Sequence, residues 1–474
     1  MKSKFAAFIL LLSVMSFFTS CLKNDGTELS VYSDTAISSF SLGTLNRYLT
    51  TKSSKGVDST YKVSVKGSNY KMYINQLEKK IYNPDSLPCG TDMKHVIASI
   101  QGKNKSIIVF KHVSNDSLFF YAPKDSIDFS QPREVRAYAS DGSGYRAYQV
   151  SVNIHKEEAD SFRWTSLGIN ADFSALQAMR AIENNAHLFV LGTPDGISGR
   201  LYCSAITDGR SWTELSSNIS GGIDAGATMA SLNGSLYLLT GGKLLKSADG
   251  TTWTQVATPA ISRLIGASSK QLYGLTSTNA LYLSKDNGAT WVAETLDTDA
   301  AYLPSQDISC VSKPMTTNRN TDKVLLIGNR SMAVSASEKT AMVWNKMAAY
   351  DGSTTENAWA YMPFGHGSRF PLPRLTNLTA VNYGSGIIAI GGAGFGGSSV
   401  AAFSQLYYSI DEGLTWVKDA RFKLPKGFSS SATAFTLTSD SNHCLWIICG
   451  STGQIWRGRL NKLGWATEQK TFTE

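Results

Sequence analysis

The sequence predicts an all-β chain, a small β-sandwich followed by a β-propeller of six blades, with seven as the alternative. Three observations carry this expectation. A turn sequence ending in Trp recurs through the C-terminal part of the chain. The composition, with 40 Gly, 20 Tyr, 20 Phe and 10 Trp and no long runs of Ala, Glu, Leu and Lys, favours many short strands joined by turns. Segments such as Tyr61-Lys-Val-Ser-Val-Lys66 alternate apolar and polar side chains with the period of a strand. At 474 residues and 42% hydrophobic content the chain can bury substantial cores.

Residues 1–20 read as a signal peptide. Lys2 and Lys4 form a positive start, and Phe5 to Phe18 form an apolar stretch too short to span a bilayer. Thr19 and Ser20 place small side chains before Cys21. This resembles the lipobox of bacterial lipoproteins, although Phe18 stands where Leu is usual. The resemblance implies that Cys21 is acylated and becomes the mature N-terminus, so that the bilayer is one partner. Several acyl chains are needed for lasting attachment. The following Leu22-Lys-Asn-Asp-Gly26 resembles, with a single acidic residue, the export signal of Bacteroidetes-type lipoproteins. It implies an outer-membrane address, at the cell surface or alternatively on the periplasmic face. No second apolar run of about 18 residues appears, so no transmembrane helix is expected.

Residues 21–35 read as a tether and residues 36–156 as a small all-β domain. Ile107-Ile-Val-Phe110 and Ser117-Leu-Phe-Phe-Tyr121 are short apolar strands. Pro84, Pro88-Cys89-Gly90 and Asn115-Asp116 are turn signals. The stretch Val135 to Val152 is a hairpin. Asp141-Gly142 reverses the chain, and Tyr148, Val150 and Val152 share one face of the returning strand. This hairpin resembles the end of bacterial cadherin-like, immunoglobulin-like sandwiches. The polar Lys156-Glu-Glu-Ala-Asp160 reads as a linker.

Residues 162–474 hold the repeats. Ser247-Ala-Asp-Gly-Thr-Thr-Trp253, Ser284-Lys-Asp-Asn-Gly-Ala-Thr-Trp291 and Ser409-Ile-Asp-Glu-Gly-Leu-Thr-Trp416 align, and Thr207-Asp-Gly-Arg-Ser-Trp212 is a shortened copy. They resemble the Asp-box, S-x-D-x-G-x-x-W, of sialidase-type propellers. In this reading Asp208, Asp249, Asp286 and Asp411 accept backbone N–H bonds, the Gly takes positive φ, and Trp212, Trp253, Trp291 and Trp416 open each outer strand and pack between sheets. The boxes are therefore expected to be structural. Trp344 and Trp465 are expected to open the outer strands of two further, degenerate repeats. Trp164 is expected either to close the ring or to be the stub of a seventh blade.

The net charge of +8 is spread without a Lys/Arg run of five, which argues against a nucleic-acid partner. Cys89, Cys203, Cys310, Cys444 and Cys449 show no metal-ligand spacing and are expected to be buried free thiols; no metal or cofactor is expected. No G-x-S-x-G elbow or H-E-x-x-H is present. Phe162-Arg163-Trp164 carries the Arg of the sialidase Arg-Ile-Pro motif but not the rest, and Arg263, Arg330, Arg369 and Arg374 lack a family context. These absences argue against an enzyme without deciding the matter.

Insertions on a rigid scaffold are the first place to look for a site. The insertion Tyr350 to Leu375 gathers Trp359, Tyr361, Phe364, His366, Arg369, Phe370 and Arg374, types that stack on sugars and grip acidic groups. The preferred reading of the insertion is nonetheless a loop that folds back to cover a propeller face with its own small core. The Gly-rich 391–399 is read as a flexible hairpin end, and the stretches 170–180 and 224–227 can reach the axial face. The whole order of segments resembles two-domain Bacteroidetes-type lipoproteins of unknown function. The expectation is a non-catalytic envelope protein that binds a glycan, or an envelope or host protein, through a propeller face. A sialidase-like glycoside hydrolase and a scaffold subunit are the alternatives.

Overall fold

The computed structural model describes residues 30–52, 56–350, 357–363 and 370–466. Cys21 and the rest of residues 1–29, where a signal peptide and most of a tether are expected, lie outside them. The chain divides into two compact units between Glu158 and Ala159, inside the polar segment.

The first unit is built on one six-stranded sheet. Its order is Tyr73–Asn75, Lys80–Tyr82, Tyr145–Ser151, Arg133–Tyr138, Ile107–Lys111 and Leu118–Phe120, with one parallel pair, between Lys80–Tyr82 and Tyr145–Ser151. Two ribbons accompany it: Ile37–Leu42 with Ala98–Gly102, and Thr44–Lys52 with Asp58–Lys66. The hairpin expected at Asp141-Gly142 is present, with Gly142 at φ 77. Tyr148, Val150 and Val152 are fully buried against Phe110, Phe129 and Val135. Tyr61 is half exposed, because its strand pairs only within a two-stranded ribbon.

The second unit is a ring of six four-stranded antiparallel sheets among the described residues. Sheet I starts with Ala178–Asn184, II with Thr228–Leu232, III with Arg263–Ala267, IV with Gln306–Pro314, V with Thr379–Tyr383 and VI with Phe435–Ser439. In sheets I to V the strands follow one another outward in chain order. Each inner strand touches the inner strands of the sheets on both sides, VI meeting I, so the ring is closed. Sheet VI takes its outermost strand from the start of the unit: Phe162–Ile169 pairs antiparallel with Gln454–Leu460. Trp164 lies on that strand. This is the arrangement of a β-propeller.

The repeated turns link the third and outer strands. In sheet III the Ser284 hydroxyl accepts from Gly288 N–H (2.8 Å) and donates to Asp286 (2.9 Å), which accepts from the Thr290 amide and hydroxyl. Sheet V repeats each contact at Ser409, Asp411, Gly413 and Thr415. The indole N–H groups of Trp212, Trp253, Trp291 and Trp416 each donate to the carbonyl of the turn glycine three residues earlier, at 2.9–3.0 Å. These glycines have φ between 71 and 92, where a side chain is strained. A Cβ would also strike the preceding sheet: Gly209 meets Trp446, Gly250 meets Phe189 and Gly288 meets Leu244, each within 2.4–2.6 Å. The turn therefore lets adjacent sheets close together.

The outer strand of sheet IV corrects one expectation. Trp344 lies in the third strand, Met342–Ala349, and the residue directly before the outer strand Ala360–Tyr361 is Trp359. An insertion between these strands breaks the spacing by which Trp344 was aligned. Trp465 follows a 3-10 turn, Asn461–Gly464, and does not open an outer strand among the described residues.

The turn makes a pH prediction. Hydrogen bonds from the Thr290 hydroxyl and amide hold the Asp286 carboxyl below the usual carboxylate range. A depressed pKa contributes stability above the unfolded value, about 3.9, that is lost as pH falls through the folded value. Asp286→Ala is expected to cost about 1 kcal/mol at neutral pH, the size of a lost helix cap, in urea unfolding. The difference between wild type and variant should shrink below about pH 3.

Candidate functional site

The six inner strands leave a cavity of about 590 Å3 along the ring axis, with lining residues from every sheet. Its size falls within the roughly 300–1,000 Å3 of small-molecule sites. Each inner strand is paired on one edge only, so its other edge brings backbone N–H and C=O groups to the channel. Hydroxyls satisfy some of these across alternate junctions. Ala181 N donates to Thr436 (3.1 Å, I to VI), Leu264 N to Thr228 (2.8 Å, III to II) and Ala380 N to Ser309 (2.9 Å, V to IV). The junctions are thereby fixed by specific pairs as well as by apolar packing.

The charged lining is Arg180, Glu183, Asp224, Arg263 and Asp307. Arg180 crosses from sheet I to Asp307 of sheet IV, 3.6 Å away, and also donates to the Asn377 side chain in the approach to sheet V. Asn377 in turn donates to the Phe435 carbonyl of sheet VI (2.6 Å). Asp307 sits at φ 52 and accepts from Asn329 (3.0 Å). Burial pushes its carboxyl up, against the opposing pull of Arg180. Burial also lowers the Arg180 and Arg263 guanidinium values. Arg263 donates to the Ser305 carbonyl and to Asn279 (3.2 Å). Asp224 accepts from Thr240 Oγ1 (2.9 Å) and Gly241 N (2.5 Å), and Glu183 from Ala186 N (2.8 Å). Among the described residues no aromatic side chain lines the cavity.

A family model described as the DUF6242 beta propeller domain matches residues 158–468. A second, described as the domain of unknown function (DUF6242) N-terminal domain, matches residues 40–152. The chain belongs to the DUF6242 family. No curated protein matches it. Among solved structures, a structural genomics protein of unknown function from Bacteroides thetaiotaomicron is 9% identical, over 82% of this chain and 98% of its own, with a TM-score of 0.43. YCF48 from Cyanidioschyzon merolae is 13% identical, over 63% and 99%, at 0.32. A lectin from Aleuria aurantia is 14% identical, over 59% and 91%, at 0.33.

Three residues of the aromatic insertion pack into the DUF6242 propeller, while Phe370 is exposed. Trp359 is fully buried, with its ring against Tyr273 and its indole N–H on Glu294 (2.6 Å). Glu294 also pairs with the buried Lys346. Tyr361 stacks half-buried on Tyr302 and Trp344. Arg374 is fully buried under Phe395, donating to the Ser335 and Arg330 carbonyls at 2.6 Å. These three serve the packing of sheets IV and V. Phe364, His366 and Arg369 lie outside the described residues. Of the stretches 170–180 and 224–227, residues 178–180, 224, 225 and 227 line the axial channel. Arg263 and Asp307 were missed as channel residues, because their partners are distant in sequence and no motif surrounds them.

The five cysteines among the described residues are free; Cys449 is buried and the others are half-buried. Burial pushes the Cys310 and Cys449 thiols up to about 12, which leaves them poor nucleophiles at neutral pH. Trp359→Ala is expected to cost about 3–5 kcal/mol in denaturant unfolding, as a core truncation does, whereas a ligand-facing Trp would cost little.

Proposed function

We propose that this chain is a lipid-anchored envelope protein whose propeller binds a glycan without turning it over. In this reading Cys21 is acylated and holds the protein at the outer membrane, at the cell surface or alternatively on its periplasmic face. The N-terminal unit is an immunoglobulin-like spacer. The six sheets are the six blades of the propeller, the repeated turns are Asp-boxes, and the Trp164 strand closes the ring instead of starting a seventh blade. The observation that carries the binding reading is the axial cavity, to which every sheet contributes.

The lining supports binding over hydrolysis. Its carboxylates are engaged separately, Asp307 by Arg180 and Asn329, Asp224 by a turn and Glu183 by a backbone amide. Glycoside hydrolysis asks for two carboxylates flanking one bond, one of them raised to act as an acid. Burial raises Asp307, but Arg180 sits against it.

A second reading, contact with a protein as a scaffold subunit, is favoured by one face of the six-stranded sheet. There Ile107, Leu118, Phe120 and Tyr145 share a face and are 40–75% exposed. Both readings meet one screen. The full chain in detergent is applied to a glycan array and to a sugar-release assay. Retention of a glycan class without release is the expected result. Release would overturn the non-catalytic reading, and a blank array would move the weight to the scaffold.

A further inference from the structure

Arg263 opens the inner strand of sheet III at the axial cavity, and its bonding is incomplete. One terminal nitrogen donates to the Ser305 carbonyl and the other to Asn279. The Nε–H, and one N–H on each terminal nitrogen, have no acceptor among the described residues. No carboxylate pairs with Arg263 among those residues, although Arg180, lining the same cavity, has Asp307. A half-buried guanidinium without a counter-charge is costly, and its planar fork matches an oxyanion. Among the described residues the cavity also has no aromatic face on which a neutral sugar ring could stack. Of the channel carboxylates, Asp307 faces Arg180 and accepts from Asn329, while Asp224 and Glu183 are held by Thr240 and by the Ala186 amide.

We propose that the axial cavity takes an acidic sugar, with Arg263 gripping its oxyanion and the free strand edges and hydroxyls meeting its ring oxygens. This rests on the glycan-binding reading above. It narrows that reading to a ligand carrying a carboxylate or a phosphate ester, two sources of the same chemistry. Arg180 holds the far side of the channel through Asp307 and Asn377, and so acts as a positioning residue that keeps sheets I, IV and V in register.

The test is titration calorimetry on the full chain in detergent with glucuronate, glucose 6-phosphate, glucose and glucosamine. Glucuronate or glucose 6-phosphate is expected to bind, the two arms deciding between carboxylate and phosphate, with glucose and glucosamine at least about tenfold weaker. Arg263→Gln should abolish that preference. Arg263→Lys keeps the charge, loses the fork and should retain part of it, which guards against a variant that simply fails to fold. Equal binding of glucose, preference for glucosamine, or no binding of either acid overturns the inference. Array hits that survive Arg263→Gln would show that the broader glycan reading stands while this one falls.

Discussion

The ring depends on a single strand pairing. Phe162–Ile169 must find Gln454–Leu460 across nearly the whole unit, and seven register pairs hold it there. The entropy of closing so long a loop grows only with the logarithm of its length, so the cost is a few kcal/mol and not prohibitive. The closing strand also gains from its neighbour. Phe162 packs edge-on against Tyr383 and Phe422 of the sheet V region, and the Trp164 indole donates to the Lys423 carbonyl at 2.6 Å. One strand thus completes sheet VI and clamps it to sheet V.

Closure explains the rest of the geometry. Once the ring is shut, each sheet has a fixed neighbour on both sides, and the repeated turn makes that approach close. Its glycine removes the Cβ that would strike the preceding sheet, and its Asp and Ser satisfy the backbone groups that the tight reversal exposes. At the inner end Thr228, Ser309 and Thr436 bond across alternate junctions. The channel is therefore walled by elements tied at both their inner and outer ends. A preorganised site of this kind loses little entropy on binding.

Much of this was legible in the sequence, for reasons that differ by element. The turns at Asp208, Asp249, Asp286 and Asp411 were visible because all their bonds are local, within a span of eight residues. The hairpin at Asp141-Gly142 was visible because Gly, alternation and a short loop act together. Trp359 was a candidate ligand contact and proves buried, as the reading of the insertion as a cover with its own core allowed, and Trp344 was misplaced in the outer strand. The insertion between the last two strands of sheet IV removes the spacing that identifies the repeat, and an aromatic in a Pro- and Gly-rich stretch looks the same whether it faces solvent or core. The channel was the least legible part. Arg180, Arg263, Asp307 and Asn377 come from strands of four sheets or the loops leading into them, and only closure brings them to one cavity.

Hydrogen exchange by mass spectrometry on the full chain tests the dependence on closure most directly. The account predicts that amides of Phe162–Ile169 are protected as long as those of Leu445–Cys449 in the interior of the same sheet. It also predicts that Thr165→Pro, which breaks the closing pair, accelerates exchange in the inner strands of sheets I and VI together. Rapid exchange of Phe162–Ile169 in the unaltered chain, while the inner strands stay protected, would contradict it.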